Sequence, residues 1–399
     1  RGSVGGFVCR FYGRWRGEEL KPVKIVHLIT ELNTGGAEQM LYKLVTRLDP
    51  NRFAPLVVSM TDRGPVGRQM TSEGVPVLEL GMRLGRPNPA GLLKFCRLLR
   101  KEKPDVLQTW LYHADLLGLI AGKASAVKKI VWGIRCSDMD LRNYSPLTAL
   151  TVWSCARLSR FPDAVLVNSE NGKAVHERRG YSTRRMTVIP NGFDIERFRP
   201  DGTARAWLLE QLGLSHEAAL IGFVARFDPM KDHAAFFRAA SSLAGKEKSV
   251  HFVLAGDGME ASNAKVSVLI DREIRDKVHL LGRREDIPRL LAALDIATSA
   301  SAYGEGFSNA VGEAMACGVP CVVTGVGDSA WIVGDTGRVV PPGSPDRLTE
   351  AWEEVLALSR EERKSLGERA RARVAENFEI RRVVRRFEDF YLGLQGTKA

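Results

Sequence analysis

The regular alternation of short apolar runs with segments of helical periodicity, from Val23 onward, constrains the fold most strongly. Between the runs, apolar residues recur every three or four positions, for example in residues 36–48 and 91–102. Strands and helices in regular alternation are typical of a parallel sheet with helices on both faces. The runs predicted as strands are, in chain order, VKIVHLI, PLVVSM, VPVLEL, DVLQTWL, KIVWGI, AVLVNS, MTVIP, ALIGFVARF, HFVLAGDG, VHLLG, IATSA, CVVTG and GRVV.

The length of the chain, 399 residues, is too great for one core when a domain holds roughly 100 to 200 residues. The periodicity is interrupted in NGFDIERFRPDGTARAW, where Asn-Gly and Pro-Asp-Gly turns precede a new helical segment. We therefore predict an α/β fold of two doubly wound, Rossmann-like domains, formed by residues 21–198 and 199–378.

The two ends of the sequence differ from the domains between them. Residues 1–20 are rich in glycine, arginine and aromatic residues, and we predict that they are disordered, with loose contact to a membrane as the alternative. Residues 379–399 contain the amphipathic stretch EIRRVVRRFEDFYLGL, which predicts a helix that packs back on the first domain.

The composition is that of a globular protein, because 44% hydrophobic and 26% charged residues lie close to the average. The most apolar long segment, residues 111–127, carries charged residues and a histidine, so no membrane helix is predicted. The basic start of the sequence leads into Glu18 and Glu19 and not into the apolar core of a signal peptide. These features predict a cytoplasmic protein.

The six cysteines are scattered along the chain without a Cys-x-x-Cys pair. This pattern predicts reduced thiols and argues against both a zinc site and a disulfide framework. A redox or metal role for Cys317 and Cys321, on either side of a Gly-Val-Pro turn, is the alternative. The six are Cys9, Cys96, Cys136, Cys155, Cys317 and Cys321.

The positive charge of the chain lies in its first half. Residues 1–198 hold 31 lysines and arginines against 18 aspartates and glutamates, a formal charge of +13, whereas residues 199–399 carry −2. A basic half is expected to meet an anionic partner such as a membrane surface, a lipid diphosphate or a nucleic acid. A solvated basic surface without a partner is the alternative.

Two places in the first half are candidates for ligand contacts. In TELNTGGAEQML, Gly35 and Gly36 open a helix, and such a start lets backbone N–H groups approach a phosphate. Turn geometry alone is the alternative, and the loop matches neither the dinucleotide fingerprint nor the NTPase phosphate loop. His113 follows the fourth predicted strand, where open α/β sheets bind ligands, although a capping or packing role is equally open.

The second half opens with GFVARFDPMKDH, in which Arg226 and Lys231 flank a Pro-containing turn after a predicted strand. Both cations can converge on one spot at the edge of the sheet. Two fixed cations suit a diphosphate leaving group, because they offset the charge that develops as its bond breaks. Two solvated side chains in a loop are the alternative.

The stretch AYGEGFSNAVGEAMACGVP places Glu305 before a predicted helix and Glu313 inside it. Eight helical residues rise about 12 Å, whereas the paired carboxylates of glycosidases lie about 5 to 9.5 Å apart. We therefore assign different roles to the two carboxylates, Glu305 at one end of a ligand and Glu313 at the hydroxyl groups of the other, unless Glu313 is a surface residue. The amides predicted to form an anion or sugar cradle between them belong to Gly306, Phe307, Ser308 and Asn309.

The motifs taken together resemble those of the family 4 glycosyltransferases, which are retaining enzymes of the GT-B fold. The resemblance covers residues 24–388, and its motifs stand in the order of the family. They are TGGAE, KPDVLQTWLYHADLLG, VNSE, VIPNGFDIERFRP, VARFDPMKDH, LAGDG, LLGRREDIPRLLAALDI and EGFSNAVGEAMACGVPCVV.

The resemblance implies a nucleotide-sugar donor held by the second domain. Arg226 and Lys231 would bind its diphosphate, Glu305 would lie near the sugar, and Glu313 would hold the ribose hydroxyl groups. The amides of residues 307–309 would contact sugar or phosphate. The remaining assignments are Gly35 and Gly36 at the diphosphate, His113 near the transferred sugar, and Arg283 and Arg284 at the base.

The resemblance also implies a reaction without a metal or other cofactor, because the family usually needs none. The donor is expected to be a UDP sugar, the commonest donor in the family. Retention is expected to proceed by departure and attack on the same face of the sugar, with the leaving phosphate helping to deprotonate the acceptor. No nucleic-acid partner is expected.

The segment WGIRCSDMDLRNYSP resembles the branch of the family that builds bacterial O-antigen or capsule on lipid-diphosphate-linked sugars. This implies transfer of a hexose or N-acetylhexosamine to a glycan hydroxyl at the cytoplasmic face of the inner membrane. Arg135 and Asp138 would then be acceptor contacts. The basic first half fits transient binding to an anionic membrane.

Two other classes of function remain open from the sequence. A GT-B relative with another reaction, such as a nucleotide-sugar epimerase or a sucrose-type synthase with a soluble acceptor, shares the same motifs. A nucleic-acid-binding protein fits the pI of about 9.5, but it leaves Glu305 and Glu313 without a purpose.

Overall fold

The computed structural model describes residues 21–83, 88–137 and 144–396. Residues 1–20, predicted to be disordered, and Asp138, a predicted acceptor contact, lie outside the described residues. The described chain forms one seven-stranded and one six-stranded sheet, and all strand pairs are parallel. The predicted α/β architecture of two doubly wound domains is confirmed.

The first sheet belongs to the N-terminal domain. Its central strands are buried on both faces, which explains why the sequence shows continuous apolar runs and not alternation. The strands are β1 Val23–Ile29, β2 Phe53–Ser59, β3 Val77–Glu79, β4 Val106–Trp110, β5 Lys129–Ile134, β6 Ala164–Val167 and β7 Met186–Val188. Their spatial order is β3-β2-β1-β4-β5-β6-β7.

The second sheet belongs to the C-terminal domain and has the same winding. Its strands are β8 Ala219–Val224, β9 Val250–Ala255, β10 Val278–Leu280, β11 Ile296–Ser299, β12 Cys321–Thr324 and β13 Gly337–Val340. Their order is β10-β9-β8-β11-β12-β13. The strand order reverses between β1 and β4 in the first sheet and between β8 and β11 in the second. Open parallel sheets bind ligands at the carboxyl ends of the strands at such points.

Helices cover both faces of each sheet. In the N-terminal domain they are α1 Gly36–Val45, α2 Gly64–Ser72, α3 Pro89–Glu102, α4 Tyr112–Ala124, α5 Pro146–Leu158 and α6 Glu170–Arg178. Those that follow are α7 Ala204–Leu212, α8 His233–Lys246, α9 Ala264–Ser267, α10 Ile287–Ala292, α11 Asn309–Ala316, α12 Ser329–Val333, α13 Pro345–Ala357, α14 Arg360–Asn377 and α15 Ile380–Leu394. Short 3-10 turns occupy Thr183–Arg185, Pro229–Lys231 and Arg272–Lys277.

Helix α15 returns from the C-terminal domain and completes the core of the N-terminal one. Phe387 stacks on Trp110 at a ring distance of 6.5 Å, and the hydroxyl of Tyr391 donates a hydrogen bond to Gln108. The apolar face of the amphipathic stretch therefore packs against β4, beneath the carboxyl ends of the first sheet.

None of the helices within the described ranges is long and apolar enough to cross a membrane. Over the same ranges, no three His, Cys, Asp or Glu side chains cluster in a way that suits a metal ion. The five described cysteines are unpaired, and four of them are buried. Burial raises the pKa of the Cys317 thiol to about 12, which keeps it protonated and unreactive.

Candidate active site

A cleft of about 670 Å³ lies between the two domains, at the points where the strand order reverses in both sheets. Its walls come from the segments that follow β1, β4, β8 and β11. The structure thus brings together residues from the distant motifs of the sequence. The predicted site residues that line the cleft are Gly35, Gly36, Arg135, Arg226, Lys231, Glu305, Gly306, Phe307, Ser308 and Asn309.

Lys231 and Glu305 form an ion pair on the C-terminal side of the cleft. Lys231 ends the 3-10 turn after β8, and the Glu305 carboxylate also accepts a hydrogen bond of 3.0 Å from the Ser301 hydroxyl. Burial would raise the pKa of Glu305, but Lys231 and Ser301 outweigh it and hold that pKa below its ordinary value. With side chains only 15% and 10% exposed, the pair is a fixed and desolvated element of the wall.

Arg226 contributes a second cation from the same loop. Its Nε donates to Asp228 at 3.0 Å, and the guanidinium remains about half exposed. Asp228 also accepts a hydrogen bond from the Met230 amide, which holds the turn that carries Lys231. One aspartate therefore orients both cations towards the cleft. The sequence predicted that Arg226 and Lys231 converge on one spot, and both side chains line the cleft.

The predicted cradle at residues 306–309 leads into α11. Ser308 is the N-cap residue of this helix, and its side chain makes no capping hydrogen bond to the first amides of α11. The first domain approaches Gly306 closely. A Cβ at this position would lie 3.2 Å from the Asn168 side-chain oxygen. This arrangement is suited to an anion or to sugar hydroxyl groups.

Helix α1 faces this cradle from the N-terminal domain, with Gly35 as its N-cap. A Cβ on Gly36 would lie 3.2 Å from the Asn309 side-chain nitrogen, so the two helix starts nearly touch. The Glu38 carboxyl folds back over Gly35, and burial raises its pKa to about 7. Glu38 lines the cleft but was not predicted as a site residue. The signal was present, because a glutamate three residues after an N-cap is a capping position.

Glu313 lies outside the residues that line the cleft. Its carboxylate is 3.5 Å from Nζ of Lys43 on α1, and Lys43 also donates to the Gly192 carbonyl at 3.2 Å. Burial raises the pKa of Glu313, and the attraction of Lys43 offsets only part of that rise. Lys43 was not predicted as a site residue, since one lysine in a helix is typical of an exposed face.

His113 lines a neighbouring cavity of about 340 Å³ in the N-terminal domain and not the cleft itself. Burial lowers its pKa, so the imidazole is neutral near pH 7. Arg135 does line the cleft. Its guanidinium packs over the Trp110 ring at 4.2 Å and donates to Asn191 at 3.3 Å, while Nε and Nη2 are buried without a hydrogen-bond acceptor.

Arg283 and Arg284, predicted to contact the base, are not among the residues that line the cleft. Arg284 forms a bidentate pair with Asp286, two residues further on, and this contact occupies its fork of donors. Arg283 is largely exposed and lies 3.8 Å from Asp257. The structure therefore does not place these two side chains on the wall of the cleft.

Direct contacts around the cleft hold the domains together. The Asp328 carboxylate of the C-terminal domain accepts hydrogen bonds from the first two amides of α6, those of Glu170 at 2.8 Å and Asn171 at 2.9 Å. The Asp328 amide in turn donates to the Gly306 carbonyl at 3.0 Å. The Ser137 hydroxyl donates to the Glu305 carbonyl from the other domain. The cradle is thus attached to the N-terminal domain on two sides.

Comparisons with known proteins agree with this architecture. A family model described as "Glycosyltransferase Family 4" matches residues 34–197, and one described as "Glycosyl transferases group 1" matches residues 218–357. The two matches correspond to the two domains and together span most of the chain.

Among the relatives is a "Putative glycosyltransferase EpsF" of Bacillus subtilis, 25% identical over 346 residues, covering 84% of this chain and 87% of that protein. Another is the UDP-Gal:alpha-D-GlcNAc-diphosphoundecaprenol alpha-1,3-galactosyltransferase of Escherichia coli. It is 25% identical over 313 residues, covering 77% of this chain and 80% of that protein.

Similar solved structures include Anabaena HepE in complex with UDP and glucose, with a TM-score of 0.81 and 23% identity over 93% of this chain and 100% of that one. Another is the sucrose-phosphate synthase of Thermosynechococcus elongatus, with a TM-score of 0.75 and 18% identity over 94% of this chain and 99% of that one. At these identities the likeness shows the GT-B fold alone. The matched domains, the relatives and the cleft together establish that the chain belongs to glycosyltransferase family 4 and is a glycosyltransferase enzyme of the GT-B fold.

Proposed function

We propose that the protein is a retaining glycosyltransferase that moves a hexose or N-acetylhexosamine from a UDP sugar to a hydroxyl group of a lipid-diphosphate-linked glycan, in the synthesis of a surface polysaccharide. The observation that carries this proposal is the arrangement of Arg226 and the Lys231–Glu305 pair beside the uncapped start of α11. The Escherichia coli relative is named for a UDP sugar and a lipid-diphosphate acceptor, which supports both substrate classes.

The donor diphosphate would lie between the two cations and the two facing helix starts. Arg226 and Lys231 offset the negative charge that grows on the departing UDP, and the first amides of α11 add hydrogen bonds. Because Glu305 holds Lys231 in place, the cation does not have to reorganise as the charge develops. Glu38, whose pKa is raised to about 7, adds little negative charge beside the diphosphate below neutral pH.

The proposed chemical step keeps the anomeric configuration. The bond between the anomeric carbon and the phosphate oxygen breaks, and a bond from the same carbon to the acceptor oxygen forms on the same face. The acceptor proton passes to the departing phosphate. Glu305 is committed to Lys231 and Ser301, which makes it a poor nucleophile and supports this path over a double displacement. The two cations supply the positive charge, so we propose a reaction without a metal cofactor.

Transfer itself is tested with a panel of nucleotide sugars. A UDP sugar should raise the melting temperature, and mass spectrometry should then detect one added sugar on a lipid-diphosphate-linked acceptor. The anomeric configuration of the product, determined by NMR, should equal that of the donor. Conversion of the donor without any acceptor would instead indicate an epimerase, and an inverted product would contradict the proposed step. Activity should survive EDTA.

Binding to the membrane surface is proposed from the charge of the first half, +13 for residues 1–198. Anionic vesicles should retain the protein at low salt and release it at high salt, because screening shortens the reach of the charges. Equal retention on neutral vesicles would contradict an electrostatic contact. The location proposed on this basis is the cytoplasmic face of the inner membrane.

A further inference from the structure

The cavity that His113 lines differs in chemistry from the catalytic cleft. It encloses about 340 Å³ between α3, α4, α5 and the ends of β1 and β2, a volume at which proteins bury small ligands. Its wall is mainly aliphatic and thioether. The residues that form most of it are Met60, Met82, Leu92, Leu116, Leu117 and Ile120.

The cavity and the cleft adjoin each other at the carboxyl ends of β1 and β4. Thr30 lines the cavity while the next residue, Glu31, lines the cleft. After β4, Leu111 lines the cleft and His113 lines the cavity. Consecutive Cα atoms are about 3.8 Å apart, so the walls of the two spaces lie within one or two residues of each other at both places. A polar, cationic space therefore opens beside an apolar one.

The outer side of the cavity continues onto an apolar surface. Ile120 lines the cavity and is 47% exposed, and α5, which contributes Leu147 to the wall, also exposes Leu150 and Trp153. Arg83 contributes a cation to the lining. The neutral His113 adds no charge to the interior. An apolar path with a cation beside it is suited to an amphiphile with an anionic head.

We propose that this cavity binds the polyprenyl chain of the acceptor at its diphosphate end, while the attached sugar reaches into the cleft. This inference rests on the proposed lipid-diphosphate acceptor and specifies how the enzyme holds it. The chain leaves the membrane at the exposed edge formed by Ile120 and enters the protein between α3 and α4. The apolar wall then fixes the distance between the lipid and the reacting hydroxyl group.

Binding is tested on the full protein with farnesyl diphosphate and with inorganic diphosphate, by isothermal titration calorimetry. We expect farnesyl diphosphate to bind at least tenfold more tightly, because each buried methylene contributes ~0.8 kcal/mol, or about fourfold in affinity. Ile120→Asn, at a half-exposed wall position, and Leu117→Phe, which fills the cavity, should each weaken farnesyl diphosphate binding about tenfold or more. Both should leave inorganic diphosphate binding unchanged.

The matched control is Leu93→Asn, since Leu93 is an exposed apolar residue on α3 that does not line the cavity. It should bind farnesyl diphosphate as the wild type does. Equal affinity of the wild type for both probes would overturn the inference. An equal loss in Leu93→Asn and Ile120→Asn would overturn it as well, because the lipid contact would then be a general apolar surface.

Kinetics separate this inference from the proposed function. With acceptors of increasing prenyl length, KM should fall as the chain enters the cavity, and Ile120→Asn should raise KM for the long acceptors without changing kcat. Transfer with a KM independent of chain length would refute the cavity and leave the transferase function intact. Tight binding of farnesyl diphosphate without transfer to any lipid-linked acceptor would refute the proposed function and leave the cavity intact.

Discussion

Two lysine–glutamate pairs lie near the cleft, and they differ in how they are built. Lys231 and Glu305 belong to the same domain, in direct contact, and the pKa of Glu305 lies below its ordinary value despite burial. Lys43 and Glu313 belong to different domains and lie 3.5 Å apart, and the pKa of Glu313 lies above its ordinary value. The same chemistry therefore gives a strong pair in one place and a weak pair in the other.

The two pairs distinguish a contact that the C-terminal domain forms within itself from a contact that forms between the two domains. The C-terminal domain supplies both Lys231 and Glu305, from its own turn after β8 and its own loop after β11. The contact of Lys43 with Glu313 exists only while the domains are together. The Lys231–Glu305 pair is thus formed within one domain, whereas the Lys43–Glu313 contact depends on the position of both domains.

The largest expected effect breaks the strong pair. Lys231→Ala should lower kcat about 10²- to 10³-fold, because a cation at the leaving group is lost. It should also lower the free energy of unfolding by about 3 kcal/mol, because Glu305 is left buried and unpaired. Urea denaturation of Lys231→Ala with Glu305→Gln is the control, since the double variant should regain stability but not activity. A double variant as unstable as the single one would show that the pair is not the cause.

Asp328→Asn tests the contacts that closure adds. The Asp328 carboxylate accepts two backbone hydrogen bonds from α6, one on each oxygen. In the variant, an NH₂ group replaces one of these oxygens and faces a backbone N–H donor. We expect a loss of about 2 kcal/mol in the closed state, or roughly thirtyfold in the ratio of closed to open molecules. Fluorescence energy transfer between labels on the two domains measures this ratio. Asp335→Asn, at an exposed position in the turn after α12, should leave it unchanged.

Glu38 is a third carboxyl group near the cleft, and it forms no salt bridge within the described residues. Its pKa is about 7 in the folded protein, whereas the unfolded chain titrates near the ordinary value of 4.5. The folded state therefore binds a proton more tightly, and stability should fall by about 2 kcal/mol as the pH rises from 5 to 8. Glu38→Gln should remove this part of the pH dependence in denaturation measurements. An unchanged slope in the variant would show that Glu38 is ionised throughout.

The smallest expected effect concerns the weak pair. A double-mutant cycle of Lys43→Met and Glu313→Gln, measured on UDP affinity, should give a coupling of about 1 kcal/mol. The same cycle on Lys231 and Glu305, measured on stability, should give a clearly larger value. Equal couplings would contradict the distinction between a preassembled pair and one that closure completes.

The fold was predictable because parallel strands buried on both faces leave continuous apolar runs in the sequence. VKIVHLI and KIVWGI coincide with β1 and β5 from end to end. The cleft was predictable where its residues closely follow a strand, as Arg226 follows β8, because strand ends at one edge of a parallel sheet converge. Family resemblance then supplied the roles proposed for these residues.

Two residues that were missed, Lys43 and Asp328, have partners far away in the sequence. Lys43 and Glu313 are 270 positions apart, and Asp328 is 158 positions from Glu170. No local pattern indicates such contacts. By contrast, Arg284 and Asp286 are only two positions apart in RREDIP. The carboxylate of Asp286 binds the guanidinium that was assigned to the base. Distance along the chain therefore limited the prediction of contacts between the domains.

The return of helix α15 to the first sheet also governs the order in which the chain can fold during synthesis. The ribosome makes α15 only after the whole C-terminal domain, yet Phe387 and Tyr391 belong to the core around Trp110 and Gln108. The part of the N-terminal core that α15 covers stays exposed while the second domain is translated, and such surfaces are prone to aggregation. The domain that emerges first is thus completed last.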